Sequence, residues 1–182
     1  MKASTKKSKL ALLSCIIPLG IVGTIAFSFA KSAVAAPSPQ GMQGDYIGTG
    51  ISSGVTSGGH GSDNGQVGGD IQGRVAITHT PLSVRGSFLF DDKTTATIPT
   101  ITYDIPIAKN TNLYTGAGYS FIGRQGDDTP LGNRNSVVID TGVETAINKN
   151  IVAFGDGKLG LDAYKNSDAD AVSFQLGVGY KF

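Results

Sequence analysis

The chain has 182 residues, 40% of them hydrophobic, 16% charged and 8% aromatic, with 26 Gly, one Cys and no Trp; that length fits one domain and excludes a large multidomain enzyme. It is too apolar for a disordered chain, yet only one apolar run, Leu10 to Ala30, has the length of a spanning helix, which excludes a polytopic helical membrane protein. The net charge of +1 hides an asymmetry: Lys2, Lys6, Lys7, Lys9 and Lys31 precede residue 36 with no acidic residue among them, leaving ten basic against fourteen acidic side chains in the remainder. That balance of −4 offers no clustered cations to neutralise phosphates, so nucleic acid is not an expected partner.

Residues 1–35 read as a secretory signal peptide: a Lys-rich start, an apolar stretch, and Ala33-Val34-Ala35 with small residues where a signal peptidase inspects the chain. Cleavage is expected after Ala35, because cutting after Ala36 would set the rigid ring of Pro37 beside the scissile bond. A retained anchor is the alternative, but Pro18, Gly20 and Gly23 weaken the run as a helix. Loss of Cys15 with the signal leaves no thiol for disulfides, thiolate catalysis or a Cys-ligated metal. Residues 36–44, with Pro37, Pro39, Gly41 and Gly44, read as a disordered lead-in, and 45–182 as the folded domain.

From Asp45 onward the chain alternates with period 2, and clusters of Gly, Asn and Asp separate eight runs. Tyr46 to Val55 puts Ile47, Thr49, Ile51 and Val55 on one face. Val67 to Thr78 sets Val67, Ile71, Val75 and Ile77 against Asp70, Gln72, Arg74 and Thr78. Leu82 to Phe90 sets Leu82, Val84, Phe88 and Phe90 against Ser83, Arg85 and Ser87. Ile98 to Ala108 sets Ile101, Tyr103, Ile105 and Ile107 against Thr102 and Asp104; Pro99 and Pro106 each lack a ladder donor and are expected at strand ends or bulges. Leu113 to Ile122 and Ser136 to Ile147 continue the pattern, the latter with Asp140 and Glu144 opposite Val137, Ile139 and Val143. Ile151 to Tyr164 is the least regular, with Leu159, Leu161 and Ala163 against Asp156, Lys158 and Asp162, and its first half could slip register. Ala171 to Phe182 alternates without interruption.

The charged residues within these runs, Asp70, Arg74, Arg85, Asp104, Asp140, Glu144, Asp156, Lys158, Asp162 and Lys181, all fall opposite the aliphatic face. A soluble lipocalin-like barrel would turn them outward, whereas a membrane barrel would turn them into its lumen, and alternation alone does not choose. Two features favour the membrane barrel. The runs have about the 9 to 11 residues needed to cross a bilayer at barrel tilt. The gaps also alternate: 79–81, 109–112 and 148–150 are short, while 56–66, 91–97, 123–135 and 165–170 are longer, as when the two rims face different compartments.

A third feature is the last run, where Leu176, Val178, Tyr180 and Phe182 alternate up to an aromatic end. Here the sequence resembles the small outer-membrane β-barrel family, the OmpA/OmpX-type and opacity-protein-like barrels often grouped with porins. The resemblance implies that these four residues form the signal read by the barrel-assembly machinery. It also implies periplasmic chaperones during biogenesis, outer-membrane lipid as the surrounding partner, and a monomer in the outer membrane of a double-membraned bacterium. Interfacial aromatics must then come from Phe88, Phe90, Phe121 and Tyr164 towards the long-loop rim and from Tyr180 and Phe182 towards the other.

Chemical motifs are sparse. Residues 155–160 spell a dinucleotide fingerprint, but no helix follows whose N-terminus could receive a pyrophosphate. Asn166, Asp168 and Asp170 have calcium-loop spacing, but Ala171 stands at the turn Gly position and Gly177 at the bidentate Glu position. His60, Ser62 and Asp63, neighbours in one Gly-rich loop, are candidates for acyl hydrolysis or transfer on lipid; adjacent residues rarely hold nucleophile-to-base geometry. The other His, His79, falls at the opposite rim, so no metal triad assembles. The interior carboxylates are expected to pair with Arg74, Arg85, Lys158 and Lys181 in a network that closes the lumen rather than to catalyse. The expectation is therefore an all-β, eight-stranded antiparallel up-and-down transmembrane β-barrel after a cleaved signal. It has no enzymatic activity, cofactor or metal, and its role is structural, surface-interacting or weakly pore-forming. A lipid-modifying enzyme and a soluble periplasmic ligand carrier are the alternatives.

Overall fold

The computed structural model describes residues 40–56 and 66–182; the expected signal, with Ala33, Ala35 and Ala36, and the loop residues His60, Ser62 and Asp63 lie outside them. Eight strands follow one another: β1 (Tyr46–Gly54), β2 (Val67–Ala76), β3 (Leu82–Phe90), β4 (Thr95–Ala108), β5 (Thr111–Ile122), β6 (Ser136–Ala146), β7 (Ile151–Leu161) and β8 (Ala171–Lys181). Each pairs antiparallel with its successor, and β8 returns to β1 in a register running from Tyr46↔Lys181 to Gly54↔Ser173. Closure leaves every strand with two neighbours, so no strand edge is left open.

Side-chain chemistry sets the tight connections. Asp91 accepts the backbone N–H of Lys93 and of Thr94 on one carboxylate oxygen, at 2.8 and 3.0 Å. Asn148 does the same for Asn150 and Ile151, at 2.9 Å each. Both side chains replace a backbone acceptor, which is why Asp and Asn open these turns. In the β2–β3 turn the Thr80 hydroxyl donates to Ile77 O and accepts from Leu82 N, while His79 takes the left-handed conformation at φ 62°.

Several sequence expectations need correction. β4 begins at Thr95, so the β3–β4 connection shrinks to residues 91–94 and the strict alternation of long and short gaps fails there. Pro99 thus lies inside a strand. It faces Gly86 of β3, while the β4–β5 register passes from Thr97↔Phe121 to Thr100↔Gly118, interrupted where the N–H is missing. Pro106 does sit at a register shift, between Pro106 and Ala108. β7 shows no slip: its parity is continuous to Leu161, after which Asp162 takes φ 58° and ends the strand. Ala163 is consequently buried rather than outward, and Tyr164, expected in the aromatic girdle, is buried with its hydroxyl donating to Thr56 O at 2.8 Å.

The lead-in is ordered from residue 40. Met42 is buried; its N–H donates to Asn112 Oδ1 at 3.0 Å and its C=O accepts from Asn112 Nδ2 at 2.9 Å. Gly41 N donates to Ala108 O, and Gly44 O accepts from Arg74 Nη1 at 2.6 Å. The disordered lead-in expected over residues 36–44 therefore does not hold for residues 41–44, because backbone hydrogen bonds and one apolar anchor fix them.

The barrel is inverted. Ile51, Val67, Ile101, Leu176 and Phe182 are well exposed, whereas Arg85, Lys158, Glu144 and Asp70 are buried. A soluble lipocalin-like carrier, with an apolar core and charged exterior, is overturned by that distribution. Large side chains fit inside because glycines share the inward face. A Cβ at Gly177 would meet Phe154 at 2.4 Å and Thr49 O at 2.5 Å, and one at Gly142 would meet the Tyr114 ring at 2.6 Å. Apolar clusters pack at both ends. Leu89, Ile98, Leu131 and Val138 pack with Tyr164 towards the long loops, and Met42, Tyr46, Val152 and Phe154 pack at the other end.

Gly177→Ala should lower the urea midpoint of the folded protein in detergent micelles by the equivalent of about 1–3 kcal/mol, the usual cost of overpacking. Gly86→Ala, whose Cβ would meet nothing within 4 Å, should move it by no more than about 0.5 kcal/mol.

Candidate functional site

The interior charges form two groups stacked along the barrel. Nearer the short-loop end, Arg74 and Arg85 meet Asp104 and Glu144 in four contacts: Arg74–Asp104 at 2.6 Å, Arg74–Glu144 at 3.3 Å, Arg85–Asp104 at 3.0 Å and Arg85–Glu144 at 2.8 Å. Strand register explains the juxtaposition. Arg74 and Arg85 are cross-strand partners on β2 and β3, and the two like charges side by side are met by two carboxylates, Asp104 from the adjacent β4 and Glu144 from β6 across the lumen. Asp104 also accepts from the Ser83 hydroxyl.

Arg85 is the most heavily engaged side chain. Its Nε donates to Thr102 Oγ1 at 2.9 Å, Nη1 to Tyr46 Oη at 3.2 Å and to Glu144, and Nη2 to Asp104. Its guanidinium carbon lies 3.5 Å from the centre of the Tyr114 ring, a cation–π contact strengthened by the burial of both side chains. A planar fork with five donors can meet partners in several directions at once, which a Lys at this position could not.

The second group lies nearer the long loops. Lys158 meets Asp156 at 2.7 Å and Asp140 at 3.2 Å, following the register in which Asp140 faces Lys158 across β6 and β7. Tyr114 links the two groups, since its hydroxyl donates to Asp156 Oδ2 at 3.2 Å while its ring carries Arg85. Asp70 is fully buried, but its carboxylate makes no hydrogen bond or ion pair among the described residues.

Of the ten charges read as an interior network, Asp70, Arg74, Arg85, Asp104, Asp140, Glu144, Asp156 and Lys158 are buried in the lumen, seven of them in these two groups and Asp70 outside both. Asp162 is not. It is exposed past the end of β7 and lies 3.6 Å from the surface Arg134, because the turn at φ 58° rotates it off the inward face. Lys181 keeps the inward parity but stands half-buried at the rim and pairs with no carboxylate among the described residues.

The interior also recruits Tyr46, Tyr114, Phe154 and Asn112, none of which the charge pattern marked. Parity carried their signal. Tyr114 shares a face with Gly116 and Gly118, Tyr46 with Gly48 and Gly50, and Phe154 with Asp156 and Lys158. A large ring on a glycine-lined face has no place except the space those glycines leave.

Chemically the arrangement is a balanced set of two arginines with two carboxylates, and a second group in which one lysine serves two carboxylates, with Asp70 outside both. No group of His, Cys, Asp or Glu able to hold a metal ion occurs among the described residues. The expected assembly-signal residues Leu176, Val178, Tyr180 and Phe182 all lie exposed on the outer face.

No protein-family model matches the chain, and no curated protein matches it either. Among solved structures, the outer membrane protein OprG from Pseudomonas aeruginosa is similar over 79% of this chain and 99% of its own, with a TM-score of 0.55 at 13% identity. Ail, the attachment invasion locus protein of Yersinia pestis, solved with the heparin analogue sucrose octasulfate, gives 0.51 at 19% identity over 78% of this chain and 100% of its own. Neisserial surface protein A gives 0.51 at 17% identity over 77% and 98%. The likeness is one of fold: the chain has the architecture of the small eight-stranded outer-membrane β-barrels, as the resemblance of its last strand implies.

Arg85→Met leaves Asp104 and Glu144 sharing one buried cation and should destabilise the barrel by about 3–5 kcal/mol in urea titration. Combining it with Glu144→Met should recover a substantial part of that loss, since an apolar pair replaces an ion pair at little cost once neither charge is stranded. Asp162→Asn, which removes the charge but keeps a residue that tolerates φ 58°, should shift the midpoint by less than about 0.5 kcal/mol.

Proposed function

We propose that the chain is an integral outer-membrane barrel with a closed lumen, acting in the envelope as a structural and surface-interacting protein rather than as an open pore. The observation that carries this reading is the inversion: exposed Ile, Val, Leu and Phe on the outer face of a closed barrel whose charges are sealed within. In water such a girdle would be an apolar patch far beyond what soluble monomers expose, whereas in lipid it is the required surface. The strands, at 9 to 14 residues, have the length to cross a hydrocarbon core at barrel tilt. Exposed aromatics mark both borders, with Phe88, Phe90, Tyr119 and Phe121 towards the long loops and Tyr103, Tyr180 and Phe182 towards the short ones.

The lumen argues against free diffusion. Two ion-paired layers and the long-loop apolar cluster obstruct it, and an ion crossing would have to break the pairs that Arg85 and Lys158 make. The role is also non-catalytic in this reading, because lipid chemistry would require His60, Ser62 and Asp63 to converge within one Gly-rich loop. Outer-membrane lipid is the surrounding partner, a monomer the expected state, and chaperones with the barrel-assembly machinery the route of insertion. The connections at the long-loop end carry Asp63, Asp91, Asp92, Asp127, Asp128, Asp168 and Asp170 against Lys93, Arg124, Arg134 and Lys165, a balance that disfavours a polyanion such as the sulfated sugar bound to Ail.

Cells expressing the chain should release it from their membranes only with detergent. The unboiled protein should migrate differently on a denaturing gel from the boiled one. Recovery by osmotic shock in a soluble fraction, with no heat-dependent shift, would overturn the membrane reading.

A further inference from the structure

Residues 41–44 do more than lead into β1. Met42 enters the short-loop mouth and joins Tyr46, Val152 and Phe154 in one buried cluster. The side-chain amide of Asn112 grips both polar atoms of the Met42 backbone, and Arg74 holds Gly44 O. Gly41 and Gly44 take φ of +65° and +90°, so the segment turns in and out of the mouth within four residues. A Cβ on Gly41 would lie 2.2 Å from Asn112 Oδ1 and 3.0 Å from Pro106, which restricts the approach to glycine. Beside the seat lies a cavity of about 700 Å³ lined by Met42, Gln43, Arg74, His79, Asp104 and Asn112, so the segment occupies only part of the mouth.

We propose that residues 41–44 are a docked stopper, seated reversibly in the short-loop mouth and clamped there by Asn112. The seat is occupied without being locked. One buried side chain and a few hydrogen bonds are set against the ordering of a four-residue segment, contributions of the same size and opposite sign. By contrast, the ion-paired layers above it are built into the strand ladder and cannot leave without unfolding. The two closures are coupled through one side chain, since Asn112 Nδ2 also donates to Glu144 Oε1 at 3.0 Å and Glu144 pairs with Arg85. The stopper is thus the movable part of the closed lumen, and its release would add the volume that Met42 fills to the cavity that Arg74, Asp104 and Asn112 already line. This inference deepens the closed-lumen reading, and its test does not depend on conductance.

The sequence supplies its own probe, because it has two methionines, Met1 and Met42. Methyl-¹³C methionine NMR of the full chain folded in micelles therefore isolates Met42, with Met42→Leu giving the assignment. The Met42 methyl should be shifted by the rings of its cluster and protected from a water-soluble gadolinium chelate. Asn112→Ala should move it to the position of a free methionine and expose it to quenching, while the heat-dependent gel shift persists. Gly41→Val, outside every strand, should do the same and decides the matter if Asn112→Ala fails to fold. A wild-type methyl that is unshifted and quenched would show that the seat is empty, and a methyl unchanged in both variants would show that Asn112 and the glycine approach do not hold it. Either result overturns the proposal; in both, retention of the gel shift leaves the membrane reading standing.

Discussion

The structure depends on the burial of Arg85. A guanidinium withdrawn from water costs several kcal/mol unless its donors and charge are met, and here they are met from five directions. Glu144 comes from β6, Asp104 and Thr102 from β4, Tyr46 from β1, and the Tyr114 face from β5. These partners belong to strands spread around the barrel, so the charge can be satisfied only when the cylinder has closed. The ion pairs therefore act as a registry device as much as a source of stability: a strand displaced by one residue would turn its partner outward and strand the arginine.

The remaining interior follows from that commitment. Arg74 stands beside Arg85 and divides the same two carboxylates, so each charge is held by two opposites rather than one. Inward glycines on β1, β6 and β8 give room for the rings of Tyr46, Tyr114 and Phe154, which fill the space between the charges and exclude water from them. Polar matching in the middle and apolar packing at both ends are then two halves of one closure. The outer face is left with everything the interior rejects, which is why its apolar girdle is continuous.

Much of this was legible in the period-2 pattern. One face of each run carried the charges and the other the aliphatics, and that sufficed for eight strands and for eight of the ten interior charges, because parity is fixed by backbone geometry. The failures have a common cause: parity ends where the strand ends, and strand ends are set by turn chemistry. Asp162 and Ala163 exchanged faces because a left-handed residue ends β7. Thr95 to Thr97, read as loop, became strand because Asp91 closes the preceding turn within four residues. The ordering of Met42 was invisible because its partner, Asn112, lies 70 residues away and a single apolar residue between glycines resembles any flexible tail.

Ion current through the folded protein in a planar lipid bilayer tests the central claim most directly. The closed lumen predicts a quiet baseline at moderate voltage and molar salt, with insertion verified independently by the heat-dependent gel shift of protein recovered from the same lipid. Steady, ohmic conductance through the wild-type chain would mean that water threads the Arg85 and Lys158 layers, and would contradict the account of a barrel sealed by its own charges.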